Sequence, residues 1–147
     1  MYRHLLVPVD DTDLSISVVG NAVALACSVG ARVTFFHAVA DDASSLRGEA
    51  DVLRLTAPDE YEYASHGKAQ ELLAKAEAAA RALGVPCESR QVVSDKPAQA
   101  IVDAAREGGC DLIFMASHGR SGLSAFVHGS ETREVLTRST IPTLVYR

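Results

Sequence analysis

Between Arg32 and Ala40, the residues Val33, Phe35, Phe36, Ala38 and Val39 place apolar side chains on both sides of an extended chain. Successive side chains of a strand point to opposite faces, so this strand has no side to turn toward water. Such a strand belongs in a parallel sheet covered by helices on both faces. Leu5-Leu6-Val7-Pro8-Val9 and Asp111-Leu112-Ile113-Phe114-Met115-Ala116 read as two further buried strands. Pro8 must fall near the end of its strand, because proline donates nothing to a ladder. Cys87 to Val93 alternates weakly as another strand, and Thr143 to Tyr146 makes the last.

Helix-length segments separate these runs. Leu14, Val18, Ala22, Leu25 and Val29 recur at steps of three and four, the apolar stripe of a helix. Asp11, Thr12 or Asp13 can cap its start, and Gly30 sits where it should end. A long helix is expected from about Asp59, with Leu72, Ala76, Ala79 and Leu83 as its inner face and Gly84 as its stop. Ser94 or Asp95 caps the next, with Pro97 in its first turn. Its inner face is Ile101, Ala104 and Ala105, and Gly108-Gly109 closes it. A short helix from Glu131 to Arg138 precedes the final strand. The order β-α-β-α-β-α-β-α-β, with right-handed crossovers, gives an open doubly wound sheet in a single domain spanning residues 1–147.

Composition narrows the function. The net charge is −5, which argues against sequence-independent nucleic-acid binding, since that needs a basic surface. The longest apolar run is too short for a membrane span. The run after Met1 is too short for a secretory leader, so the cytoplasm is the expected location. Cys27, Cys87 and Cys110 are scattered, with no Cys-x-x-Cys, so neither disulfides nor zinc are expected. Cys27 is expected to act as a small core residue.

Charge is uneven along the chain. Residues 41–66 hold seven acids against Arg47 and Arg54, whereas Ala116 to Arg138 carries Arg120, Arg133, Arg138, His118 and His128 against Glu131 and Glu134. An anion is better placed in the second stretch. Residues 41–65 are too long for a simple connection. They are expected to hold at most one short helix, around Val52, Leu53 and Leu55, and to be variable enough to act as a lid.

Ligands of open parallel sheets bind beyond the carboxyl ends of the strands. Pro8-Val9-Asp10, His37-Ala38, and Met115 through Ser130 reach that edge. In the last of these, Gly119 is followed by nine residues and then Gly129-Ser130, and a helix begins at once. Glycines let backbone amides approach a ligand. A helix start offers unpaired N–H groups, and the hydroxyl of Ser130 or Thr132 adds a donor. This combination suits phosphate; the alternative is a Ser-capped helix after a glycine-rich turn. His37 reads more as a packed strand histidine than as a ligand, and His118 and Arg120 could meet phosphate or equally face solvent from the loop.

Val7-Pro8-Val9-Asp10, Phe36-His37-Ala38-Val39, Met115-Ala116-Ser117-His118-Gly119-Arg120-Ser121-Gly122-Leu123, His128-Gly129-Ser130-Glu131-Thr132 and Ser139-Thr140-Ile141-Pro142-Thr143-Leu144-Val145-Tyr146 together resemble the universal stress protein family over the whole chain. That family's nucleotide motif is Gly, two residues, Gly, nine residues, then Gly with Ser or Thr. Here Ala116 occupies the first Gly position, followed by Gly119 and Gly129-Ser130. The resemblance implies strand order 3-2-1-4-5 with two helices on each face. It also implies ATP, with Mg2+ or Mn2+ bridging the phosphates. Asp10 would approach the ribose or adenine and the Ala38 backbone the adenine edge, with Pro8, Val9 and Met115 walling the base. Amides of Gly119, Gly129, Ser130, Glu131 and Thr132 would hold the phosphates. A homodimer through strand 143–146 is implied as well.

The Ala116 methyl is harmless if the position is extended and obstructive if φ is positive. No Walker lysine motif and no nucleophile elbow occur, so no catalytic residue is assigned. Asp10, His118 and His128 could at most support slow ATP hydrolysis, and a nucleotide-free dimeric scaffold is the remaining reading.

Overall fold

The computed structural model describes residues 1–39, 58–117 and 130–147. The described elements run β1 (His4–Pro8), α1 (Asp13–Val29), β2 (Arg32–Val39), α2 (Pro58–Ala82), β3 (Cys87–Val93), α3 (Pro97–Glu107), β4 (Leu112–Ala116), α4 (Ser130–Arg138) and β5 (Thr143–Tyr146). The five strands form one parallel sheet ordered β3-β2-β1-β4-β5. The expected fold is therefore present, order included. The expected helix around Val52 and the lid lie in residues outside the described set. Residues 58–65 are the opening turns of α2, not part of an irregular connection; Pro58 takes the first helical position, where its missing N–H matters least.

Strand alternation divides the core in two. Leu5, Val7, Val9, Val33 and Phe35 pack with Val18, Val19, Ala22, Val23 and Ala26 of α1 and Leu73, Ala76 and Ala80 of α2. Leu6, Phe36, Ile113 and Met115 face the other way, onto Ala98, Ile101, Val102 and Ala105 of α3 and Val135 of α4. Each face thus carries two helices. Phe35 and Phe36, adjacent in sequence and both fully buried, serve opposite layers, and each burial contributes roughly 1.5–3 kcal/mol.

Two helices sit rotated from their expected faces. The inner side of α1 is Ser15, Val18, Val19, Ala22, Val23 and Ala26, while Val29 is exposed. Among the described side chains of α2 the buried ones are Ala69, Leu73, Ala76 and Ala80, and Leu83, just past its end, is exposed. Cys27 is likewise exposed, not a core residue, because it lies off the rotated stripe. Thr12 caps α1, its hydroxyl accepting from the Ser15 N–H, and Gly30 ends the helix in the left-handed region at φ 71°. At α3 the cap position belongs to Lys96, which makes no side-chain cap bond; Ser94 accepts from the Lys96 N–H instead.

The central strand β1 is held unequally on its two sides. Toward β2 the register runs over five pairs, His4–Arg32 to Pro8–Phe36. Toward β4 it covers only Leu5–Leu112 and Leu6–Ile113. Strand order reverses between β1 and β4, which makes the carboxyl end of that seam the topological switch point.

Candidate functional site

Three chain segments converge at the carboxyl edge of β1 and β4. The first leaves β1. Val9 continues the sheet by donating its N–H to the Phe36 carbonyl at 2.8 Å. The Asp10 N–H donates to Ser15 Oγ at 2.9 Å. Asp10 Oδ1 accepts from the Thr12 N–H at 2.8 Å and from the Thr12 hydroxyl at 2.5 Å. Asp10 therefore organises a tight turn, and Thr12 in turn caps α1. Lys68 of α2 pairs with Asp11 at 3.1 Å beside this turn, an exposed contact of small energetic weight.

The second segment is the end of β2. His37 Nδ1 lies 2.7 Å from the Val9 carbonyl. A carbonyl only accepts, so Nδ1 carries the proton. The bond fastens the exit of β1 to β2, and Ala38 follows it, half-buried and paired with Val92.

The third is the junction of β4 with α4. Met115 is buried in the α3–α4 layer. Ala116 pairs with Tyr146 of β5 and packs against the opposite, α1–α2 layer. No described residue other than glycine has a positive φ, so the Ala116 backbone is ordinary strand, and its methyl is directed toward the α1–α2 layer. Ser117 is buried and donates its N–H to the Tyr146 carbonyl at 2.8 Å. Thr132, also buried, directs its hydroxyl at the carbonyls of Ala116 at 2.9 Å and Ser117 at 3.2 Å. That hydroxyl, expected from sequence as one of two possible ligand donors, is here engaged in holding α4 to the strand.

Ser130 is the exposed first residue of α4, and Glu131 is half-buried behind it. Burial, then the nearby carboxylates of Asp10 and Glu134, push the Glu131 carboxyl above its ordinary value. The N–H groups at a helix start lack partners within the helix, so the first turn of α4 offers donors at this edge. Pro8, Val9, Asp10, Ala38, Met115, Ala116, Ser130, Glu131 and Thr132 thus come from elements that meet at one edge. Gly119 and Gly129, with His118, Arg120 and His128, lie outside the described residues. Sequence reading named Thr12 among the cap candidates, which the structure bears out, but missed Ser15 and the Thr12 bonds to Asp10 as builders of the turn. The spacing Asp10, Thr12, Ser15 was their signal, since short hydroxylated side chains at a helix start bond the backbone.

Among the described residues no group of three or more His, Cys, Asp or Glu side chains is assembled to hold a metal. Asp10 and Glu131 supply oxygen donors suited to a hard cation, so a divalent ion fits this edge only as a companion of phosphate oxygens and water. Among the same residues no helix is long and apolar enough to cross a membrane.

Comparison with known proteins matches the same chain from end to end. A family model described as the universal stress protein family covers residues 1–147. Universal stress protein YxiE of Bacillus subtilis is 31% identical over 150 aligned positions, which span all of both chains. Among solved structures, a universal stress protein in complex with cAMP is 28% identical with a TM-score of 0.73, covering 99% of this chain and 97% of that one. The structure of MJ0577 gives a TM-score of 0.81 at 23% identity, over 99% and 95% of the two chains.

Proposed function

The chain belongs to the universal stress protein family, and we propose that it is a nucleotide-binding module that takes ATP, with Mg2+ or Mn2+, at the carboxyl edge of β1 and β4. The observation that carries this reading is the Thr132 clamp. By fixing α4 to the carbonyls of Ala116 and Ser117, it sets an open helix start beside the switch point, across from the Asp10 turn. Phosphate would rest on the N–H groups of Ser130, Glu131 and Thr132, with the backbone of Gly119 and Gly129 completing the cradle that the motif spacing provides. Asp10 and the Ala38 backbone would meet the ribose and base, walled by Pro8, Val9 and Met115. The cAMP complex of a relative 28% identical to this chain supports an adenine nucleotide as the ligand class.

The metal, when bound with ATP, neutralises phosphate charge that would otherwise face Asp10 and Glu131. The chain's own groups bind and orient; Asp10 is already engaged by two donors from Thr12, which suits a positioning role better than that of a base for rapid turnover. We further propose that the protein acts in the cytoplasm as a homodimer paired through Thr143–Tyr146. Leu144 on that edge strand and Leu136 on α4 are exposed apolar side chains that such pairing would cover.

Mass analysis of ligand released from the purified protein, followed by calorimetry with ATP, ADP, AMP and cAMP with and without Mg2+, tests the reading. A co-purifying adenine nucleotide, or saturable heat with ATP that strengthens with Mg2+, is expected. Absence of both for every nucleotide would leave the nucleotide-free dimeric scaffold as the better account.

A further inference from the structure

The opposite end of β1 holds a buried polar chain that the nucleotide edge does not use. His4 is 4% exposed and Thr34 is likewise buried. His4 Nε2 lies 2.7 Å from Thr34 Oγ1, and the Thr34 hydroxyl donates to Glu88 Oε1 at 2.9 Å. The chain thus crosses three adjacent strands, β1, β2 and β3. Its proton positions follow from the end acceptor. A carboxylate only accepts, so the Thr34 proton points to Glu88, and Thr34 Oγ1 must accept from His4 Nε2–H. His4 is therefore protonated on Nε2, and any additional proton must go to Nδ1. That atom is buried with no hydrogen-bond partner among the described residues.

The backbone of His4 joins β1 to the approach of β4. Its N–H donates to Asp111 Oδ1 at 2.9 Å, and its carbonyl accepts from the Asp111 N–H at 2.9 Å. The ring therefore sits at a junction of four strands' amino ends beneath the exit of α3. We propose that His4, with Thr34 and Glu88, is an acid-sensitive latch: the neutral ring holds the amino edge of the sheet closed, and proton uptake at Nδ1 loosens it.

Burial of the ring favours this direction over the sum of the charges around it. Burial, then Arg32 of β2, hold the imidazole below its ordinary value; Glu88 of β3, Asp111 before β4 and the Gly108 backbone after α3 pull the other way and do not prevail. Cys110, also buried beside this cluster, has its thiol pushed up by burial to about 11, so it stays neutral and offers the imidazolium no counter-charge. Arg90 of β3 is committed to Glu107 of α3 at 2.5 Å. The sign is then fixed. The unfolded chain takes up the proton more readily than the folded one, so the latch stabilises fully above about pH 6.5 and is lost as pH falls through the folded value.

Nitrogen NMR of the imidazole in the intact protein tests the proton positions directly. At pH 7 the His4 ring should be neutral with its proton on Nε2, and it should titrate below about 6.5. A ring protonated on Nδ1 at pH 7, or one titrating at or above that value, overturns the proposal. Urea midpoints from pH 7.5 down to pH 5 provide the second readout. The parent midpoint should fall more steeply than that of His4→Gln, which keeps a donor toward Thr34 without a titrating ring; parallel slopes also overturn it. Should His4→Gln fail to fold, the ring titration of the parent decides alone.

Discussion

The Thr132 hydroxyl donates to the Ala116 carbonyl at 2.9 Å, so a residue in the first turn of the last helix is bonded to the residue that departs from the family's first motif glycine. One contact thus ties the position of the phosphate-facing helix start to the end of β4.

Thr132→Val should therefore weaken both the fold and the site. It leaves the Ala116 and Ser117 carbonyls without their donor, a penalty of about 1–3 kcal/mol for a buried group. Thr132→Ser keeps the hydroxyl and should restore most of the loss. Urea denaturation reads the stability, and calorimetry with ATP and Mg2+ should show the valine variant weaker and the serine variant close to the parent.

Ala116→Gly should leave nucleotide affinity within about threefold, less than 1 kcal/mol. The position is ordinary strand with its methyl toward the α1–α2 layer, so removing that methyl opens nothing for a ligand. The fold should lose roughly 0.5–1 kcal/mol, as glycine does inside a strand. A tenfold gain in affinity would show that the methyl obstructs after all.

Glu131→Gln should bind ATP more tightly than the parent at pH 7 without a divalent ion. Burial and the Asp10 carboxylate already oppose its charge, and phosphate adds to that opposition. Because the folded carboxyl is raised, its contribution to stability is fully present below the unfolded value of about 4.3 and is lost as pH rises through the folded one. The glutamine variant should lack this part of the pH dependence. Denaturation midpoints between pH 4 and pH 7 check the slope; identical profiles for both proteins would contradict it.

Val145→Pro should dissociate the proposed dimer while sparing the sheet. The carbonyls of Pro142 and Tyr146 accept from Ile113 and Ser117 of the β4 segment, so even-numbered residues of β5 bond inward and, by alternation, the N–H of Val145 points to the open edge. Light scattering of the parent should give twice the 15.6 kDa chain mass, and the variant should move toward one chain mass with its circular dichroism retained. A monomeric parent at micromolar concentration would defeat the dimer. Separately, Gly129→Val should abolish ATP binding by placing a branched side chain where the motif needs backbone approach.

The sheet was legible because Val33, Phe35, Phe36 and Val39 leave a strand no exposed face, and because Leu112 to Met115 repeat that pattern. Helix rotation was less so. Ser15 belongs to the inner stripe of α1 through its bond to the Asp10 N–H, and hydropathy gives a serine no reason to be there. In α2 the inner residues are mostly alanine, as are many outer ones, so Ala69, Leu73, Ala76 and Ala80 differ by a small turn from Leu72, Ala76, Ala79 and Leu83. At the site, Asp10 and the α4 start were readable from their places after strands. The engagement of Thr132 with two carbonyls was not, because a threonine at a helix start serves equally well as cap, clamp or ligand donor, and only the placement of α4 against β4 selects among them.

The two-pair seam between β1 and β4 has a mechanical meaning. It makes the sheet two rafts, β3-β2-β1 and β4-β5, whose strands pair only at Leu5–Leu112 and Leu6–Ile113, with the His4–Asp111 bonds at one end of the seam and the helices lying across both. Asp10 rides on one raft and Thr132 is bolted to the other. Whatever grips both would act as a clip across the joint, stiffening the molecule along the line where its own backbone binds it least.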